Sequence, residues 1–185
     1  ERIARDGNPQ VWASLVYGYA KLGHRSGRIF EAVQTRSGRL ACEGQPQSIS
    51  MTVWSYATLG VQAPALFQAV ELQAVRLSKQ ANPQSLANTV WAFAKMGVEA
   101  PSLFSAVERQ AARLAGEAKP QELANTVWAY AKMGFDSPAL FEAVEGQAER
   151  LARTGNSQEL SNTAWAYATL GVEAPILFAA IERQA

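Results

Sequence analysis

The segment Pro83-Gln-Ser-Leu-Ala-Asn-Thr-Val-Trp-Ala-Phe-Ala-Lys-Met-Gly97 recurs 37 residues downstream as Pro120-Gln-Glu-Leu-Ala-Asn-Thr-Val-Trp-Ala-Tyr-Ala-Lys-Met-Gly134. It recurs once more as Ser157-Gln-Glu-Leu-Ser-Asn-Thr-Ala-Trp-Ala-Tyr-Ala-Thr-Leu-Gly171. Working outward, the same step joins Gly23, Gly60 and Gly97, as well as Pro9, Pro46 and Pro83. Trp54 and Tyr17 extend the tryptophan column upstream, and Phe30, Phe67, Phe104, Phe141 and Phe178 form a column without a gap. A second proline column holds Pro64, Pro101, Pro138 and Pro175, with Gly27 in its first slot. Independent markers sharing one register identify a tandem array.

Each unit reads as two helices. Asn82 is a good N-cap, and Pro83 at the first helical position gives up only an N–H that has no partner there. Lys95 meets the negative end of the helix dipole, and Gly97 suits the left-handed C′ position. The second helix opens at Pro101, where Leu103, Phe104, Val107, Ala111 and Leu114 make one apolar stripe. Leu140, Phe141, Val144, Ala148 and Leu151 repeat it in the fourth unit. The expected fold is all-α: an α-solenoid of tandem helix-turn-helix repeats with a 37-residue period. First helices are expected near 9–22, 46–59, 83–96, 120–133 and 157–170. The 185 residues hold five periods in a single array, 1–185. Glu1-Arg-Ile-Ala-Arg-Asp-Gly-Asn8 matches Glu149-Arg-Leu-Ala-Arg-Thr-Gly-Asn156, so the chain is expected to start and stop inside second helices, as a window of a longer array.

Composition narrows the function. A net charge of +1 excludes a supercharged nucleic-acid arm. One cysteine, Cys42, and one histidine, His24, exclude a disulfide framework, a Cys/His zinc site or a two-histidine metal centre. No apolar run reaches the roughly 18 residues of a membrane span, so no membrane insertion is expected. His24 falls in a turn and has no periodic counterpart, and Cys42 lacks a partner that would make it a nucleophile. No enzymatic activity and no cofactor or metal are expected.

At 100° per residue, Leu86, Ala87, Val90, Trp91, Phe93 and Ala94 share one arc of the first helix, and Gln84, Ser85, Asn88, Ala92 and Lys95 share the other. The tryptophans thus read as core. Outward positions vary between units: Ser14, Met51, Asn88, Asn125 and Asn162 in one column, and Ser48, Ser85, Glu122 and Glu159 in another. Lys21, Lys95 and Lys132 close the helices of three units. Second helices carry most of the charge, with Arg39, Arg76, Arg113 and Arg150 in one register and Glu71, Glu108, Glu145 and Glu182 in another, which reads as a solvated face. First helices carry little charge, as suits an inner, concave binding row.

The Pro-Gln-Glu-Leu-Ala-Asn-Thr-Val-Trp-Ala run from Pro120 to Ala129 resembles the octotricopeptide repeat, and it is similar to the helical repeats of FAST-kinase-like mitochondrial proteins. The resemblance spans the chain and is strongest in units three to five; unit one departs, with Tyr17 for the tryptophan and Leu15 for the threonine. It implies a protein of chloroplasts or mitochondria acting in transcript stability, processing or translation. It also implies binding of single-stranded RNA, an organellar transcript or ribosomal RNA, at about one nucleotide per repeat. The candidate contacts are Ser14, Met51, Asn88, Asn125, Asn162, Ser48, Ser85, Glu122 and Glu159 for base edges and Lys21, Lys95 and Lys132 for phosphates. Two alternatives stand beside this reading. The asparagine column is also what a structural ladder bridging neighbouring repeats would use. The near-neutral charge also suits a protein-binding scaffold, such as a subunit of an organellar ribosome or other large assembly.

Overall fold

The computed structural model describes residues 7–184. The helix expected to run through residues 1–6 and the chain end at Ala185 lie outside the described residues. Within them the chain is helical, with no strand, and the long helices stack side by side as an α-solenoid.

Each period opens with a long helix: α1 (Pro9–Lys21), α4 (Pro46–Leu59), α7 (Pro83–Met96), α10 (Pro120–Met133) and α13 (Ser157–Leu170). The expected second helix is two short ones. The first of the pair is α2 (Gly27–Gln34), α5 (Pro64–Glu71), α8 (Pro101–Glu108), α11 (Pro138–Glu145) or α14 (Pro175–Glu182). The second is α3 (Ser37–Glu43), α6 (Ala74–Gln80), α9 (Ala111–Glu117) or α12 (Ala148–Thr154). The break falls at Gln73, Gln110 and Gln147, whose ψ of 10°, 11° and 13° leaves the helical range for the bridge region.

Caps fix the long helices. The side-chain oxygens of Asn8, Asn82 and Asn156 accept from the N–H groups of Val11, Ser85 and Glu159 at 3.0, 2.8 and 2.9 Å. Gly23, Gly60, Gly97, Gly134 and Gly171 hold φ between 63° and 68°, where any other residue would be strained.

Two layers result. The long helices form the inner one, each flanked by the long helices of its neighbours. In the outer layer α3 packs on α5, α6 on α8, α9 on α11 and α12 on α14, so the last helix of one repeat rests on the middle helix of the next. Leu86, Val90, Phe93, Leu103, Phe104, Val107 and Leu114 fill the space between layers. An aromatic pair marks each junction: Phe30–Tyr56, Phe67–Phe93, Phe104–Tyr130 and Phe141–Tyr167, edge to face with centroids 4.7–4.9 Å apart. The hydroxyls of Tyr56, Tyr130 and Tyr167 donate to the carbonyls of Phe30, Phe104 and Phe141 in the preceding repeat at 2.5, 2.6 and 2.7 Å. Burial pushes all three phenols well above the ordinary tyrosine value, so they stay protonated and keep donating.

The charged registers of the outer layer are a solvated face only in part: Arg39 and Glu182 are exposed, but Arg76, Arg113, Arg150, Glu71 and Glu145 tie neighbouring repeats together. Arg113 sends Nη1 to the carbonyl of Ala81 at 3.3 Å and Nη2 to that of Ser78 at 2.9 Å, while Nε holds Gln110 Oε1 at 3.1 Å. Arg150 repeats this on Ala118, Ala115 and Gln147, and Arg76 on Gly44, Ala41 and Gln73. Each guanidinium thus covers the carbonyl end of the short helix before it, where acceptors have no helical partner. The glutamates act in the other direction: Glu71 accepts from the N–H of Ser102 at 3.3 Å, and Glu145 from that of Ile176 at 3.0 Å. The expectation failed for these residues because a single-helix wheel contains no neighbouring repeat.

One position is locally unfavourable. Ser137 is buried and its hydroxyl has no hydrogen-bond partner among the described residues, whereas the equivalent Ala63, Ala100 and Ala174 have no hydroxyl to satisfy. Ser137→Ala is expected to stabilise the protein by about 1 kcal/mol. The change would be read as a higher urea midpoint at unchanged m-value; no gain would mean that the hydroxyl is already satisfied.

Candidate nucleic-acid interface

The long helices α4, α7 and α10 have each lost two of their sides to neighbouring long helices and a third to the outer layer, while α1 and α13 have a long-helix neighbour on one side only among the described residues. What remains is a strip about one residue wide. In α7 it holds Gln84, Asn88, Trp91 and Lys95, spaced i, i+4, i+7 and i+11 along one line of the helix. The equivalents are Gln10, Ser14, Tyr17 and Lys21 in α1, Gln47, Met51, Trp54 and Thr58 in α4, Gln121, Asn125, Trp128 and Lys132 in α10, and Gln158, Asn162, Trp165 and Thr169 in α13. The glutamines, lysines and threonines are exposed; Met51 and the three asparagines are half-buried. A recess of about 320 Å³ is bordered by Lys21 and Tyr17 from α1, Met51 and Trp54 from α4, Asn88 from α7 and Asn125 from α10. Side chains from four successive repeats meeting at one recess put the strips on the inside of the curve.

The strip is rotated by one residue from the expected outward arc. Ser48 and Ser85 are buried, and so are Ser55, Ala92 and Ala166, because this flank is occupied by the preceding long helix. Glu122 and Glu159 share the column of the buried serines, and their carboxylates fold back onto the N–H groups of Lys119 and Asn156 at 2.9 Å each. That is helix capping, complete as a capping box with Asn156. Lys119 has no acceptor to complete its own. Glu122 still borders the recess, so its charge is felt there.

The tryptophans meet the core expectation only in part. Trp54, Trp91 and Trp128 do pack against the core but are only half-buried, Trp54 also bordering the recess, and Trp165 is exposed on α13, which has a long-helix neighbour on one side only among the described residues. Tyr17 and Trp54 lie 5.4 Å apart at 43°, and Trp128 and Trp165 lie 6.4 Å apart at 32°. The core slot of the first repeat is taken by Trp12, fully buried where the others have Ile49, Leu86 and Leu123, with the Arg39 guanidinium 5.5 Å from its ring centroid.

The asparagine side chains make no hydrogen bond among the described residues, to a neighbouring repeat or otherwise. The bridging ladder is therefore not formed. Lys21, Lys95 and Lys132 are exposed and make no ion pair among the described residues. Their ammonium groups lie at the helix ends that favour a cation. The groove thus presents unpaired amides, partly open indoles and three free positive charges. The glutamine and tryptophan columns were absent from the candidate contacts; both were visible as 37-residue columns, and only their rotation about the helix was hidden.

His24 is exposed in the turn after α1, its ring 5.5 Å from that of Tyr19. Cys42 is exposed near the end of α3 and receives the Gln73 amide at 3.8 Å. No group of three His, Cys, Asp or Glu residues suited to a metal ion occurs among the described residues, and none of their helices is long and apolar enough to cross a membrane.

These features define a helical-repeat protein whose row of long helices presents polar and aromatic side chains, gathered into one recess by four successive repeats. Residues 3–179 match the family model of the RNA-editing substrate-binding complex 6 protein, and the chain belongs to that family. No curated protein sequence matches the chain.

Proposed function

We propose that the inner groove binds single-stranded RNA within an organelle, that the chain does so as part of a larger RNA-processing assembly, and that it acts by binding, without catalysis. The observation that carries this reading is the row of half-buried amides at Asn88, Asn125 and Asn162, desolvated on one side and unpaired on the other. Partly buried amides without protein partners are strong recognition groups, because a ligand that pairs with them replaces only loosely held water. The recess is bordered by side chains of four successive repeats, so a ligand laid along the array meets several of them at once. The family name and the resemblance to octotricopeptide repeats support the same direction.

Charge sets the expected salt dependence. Three lysine contacts to a single strand give a slope of log K against log salt of roughly −2, shallow for a nucleic-acid binder. The test is fluorescence anisotropy with a labelled single-stranded RNA of random sequence, beside the same RNA as a duplex. Asn88→Ala combined with Asn125→Ala is expected to weaken single-strand binding roughly tenfold or more. Melting should move by no more than a surface substitution allows, about 0.5 kcal/mol. Equal affinity for the duplex, or no binding by the wild-type chain, would sink the proposal. The second outcome would favour a protein-binding scaffold, the reading to which the net charge of +1 and the family's membership of a complex also lend themselves.

A further inference from the structure

The strips differ in a way that constrains the ligand's sequence. At the first two positions, α7, α10 and α13 are identical: Gln84 and Asn88, Gln121 and Asn125, Gln158 and Asn162. The third position is tryptophan in all three, Trp91, Trp128 and Trp165. On the α4 side the amide gives way to the thioether of Met51, and in α1 to the hydroxyl of Ser14. The next column, where Ser85 stands against Glu122 and Glu159, differs between these repeats; Ser85 is buried and the two carboxylates are held in helix capping through Oε2, so Glu122 reaches the recess as a charge and not as a base-pairing group. The last position, Lys95, Lys132 and Thr169, lies at the helix ends, where contacts go to phosphates and carry no sequence information.

Spacing adds a second constraint. Packed helices stand about 8–10 Å apart, whereas stacked bases follow one another at about 3.4 Å. One base per repeat is therefore possible only if the bases are pulled out of their stack. Repeats three to five each supply an indole beside their amides, half-buried at Trp91 and Trp128 and exposed at Trp165, and an aromatic ring is the side chain that replaces lost base stacking. Amide pair and ring thus recur together, at the interval that an unstacked strand requires.

We propose that α7, α10 and α13 read three consecutive, unstacked copies of one base, and that the position facing α4 has a different preference. This rests on the groove binding single-stranded RNA, and it adds the ligand's sequence pattern. Identical base-facing side chains at equivalent places on these helices favour the same base, so the run follows from the repeat itself.

The test is selection from a pool of single-stranded RNA carrying a short randomised window, with retention of the unselected pool measured separately. The wild-type chain is expected to enrich three adjacent positions with the same base. Asn125→Ser is expected to change the middle position alone, and Met51→Asn to lengthen the run to four. An oligonucleotide with the middle base replaced should bind wild type roughly tenfold more weakly. Enrichment of three unlike bases, or retention of the pool with no motif, overturns this inference and leaves RNA binding standing. Failure to retain any of the pool overturns both.

Discussion

Phe104→Ala is expected to cost about 3–5 kcal/mol, the range for emptying a buried phenylalanine site. Phe104 is fully buried at the junction of the third and fourth repeats. Its ring meets Tyr130 edge to face at 4.9 Å and stacks on Phe135 at 4.5 Å, nearly parallel at 7°. The equivalents of Phe135 are Val61, Val98 and Val172, so among the described residues a third ring joins the edge-to-face pair only at this junction. Truncation here leaves a cavity and strips both partners of their aromatic contact, whereas Phe67→Ala removes a ring with a single aromatic neighbour, Phe93. Phe104→Ala should therefore exceed Phe67→Ala. Because a solenoid's stability is a sum of repeat and nearest-neighbour terms, damage to one interface also uncouples what lies on either side. Hydrogen exchange of the variant is expected to show the first three repeats and the last two opening separately. A loss below about 1 kcal/mol, or uniform exchange along the chain, would show that the junctions are not the weak points of the array.

Arg113→Lys is expected to destabilise the protein by about 2–3 kcal/mol, nearly as much as Arg113→Ala, despite the retained charge. The guanidinium serves two carbonyls at once, those of Ser78 and Ala81, while Nε is fixed by Gln110. Those carbonyls terminate α6 and have no other helical donor, so a lost partner leaves an unsatisfied acceptor at a packed junction. An ammonium group cannot span both with this geometry. Urea denaturation of both variants checks the argument. A lysine variant within about 0.5 kcal/mol of wild type would show that charge against the helix dipole, and not the forked hydrogen bonding, is what matters. The salt link between Arg113 and Glu117, at 3.5 Å with the glutamate well exposed, contributes little to either result.

Much of this architecture is legible in the sequence because its punctuation is local. Pro83 and Gly97 mark the limits of α7 through properties of their own backbones, a fixed φ and a permitted positive φ, so no neighbour need be known. The break between α8 and α9 is invisible for a physical reason. Leu103, Phe104 and Val107 continue in phase into Ala111 and Leu114, so the apolar stripe reads straight across a bend whose signature is the ψ of one glutamine. The candidate site was legible in its columns and not in its azimuth. Ser85 and Gln84 are adjacent in sequence and 100° apart on the helix, and what decides between them is the flank taken by the preceding long helix. Trp91 shows the same limit: it packs against the core as a hydrophobicity wheel would have it, but the neighbouring helices leave it only half-buried. The arginine column could be counted but not aimed, since its acceptors are 32 and 35 residues upstream.

Those intervals also carry a consequence for the order in which the chain becomes structured. The tyrosine links close loops of 26 residues, the glutamate links 31, and the arginine links 32 and 35, so every tie is completed within a single period. Closing a loop costs entropy that depends on its own length and not on the length of the whole chain. The tyrosine and arginine donors lie downstream of their acceptors. During synthesis from the N-terminus, a repeat leaving the ribosome therefore finds the surface it must dock on already formed. Assembly can proceed one unit at a time, with no segment waiting for a distant partner. Lengthening such an array adds steps to its maturation without making any step slower.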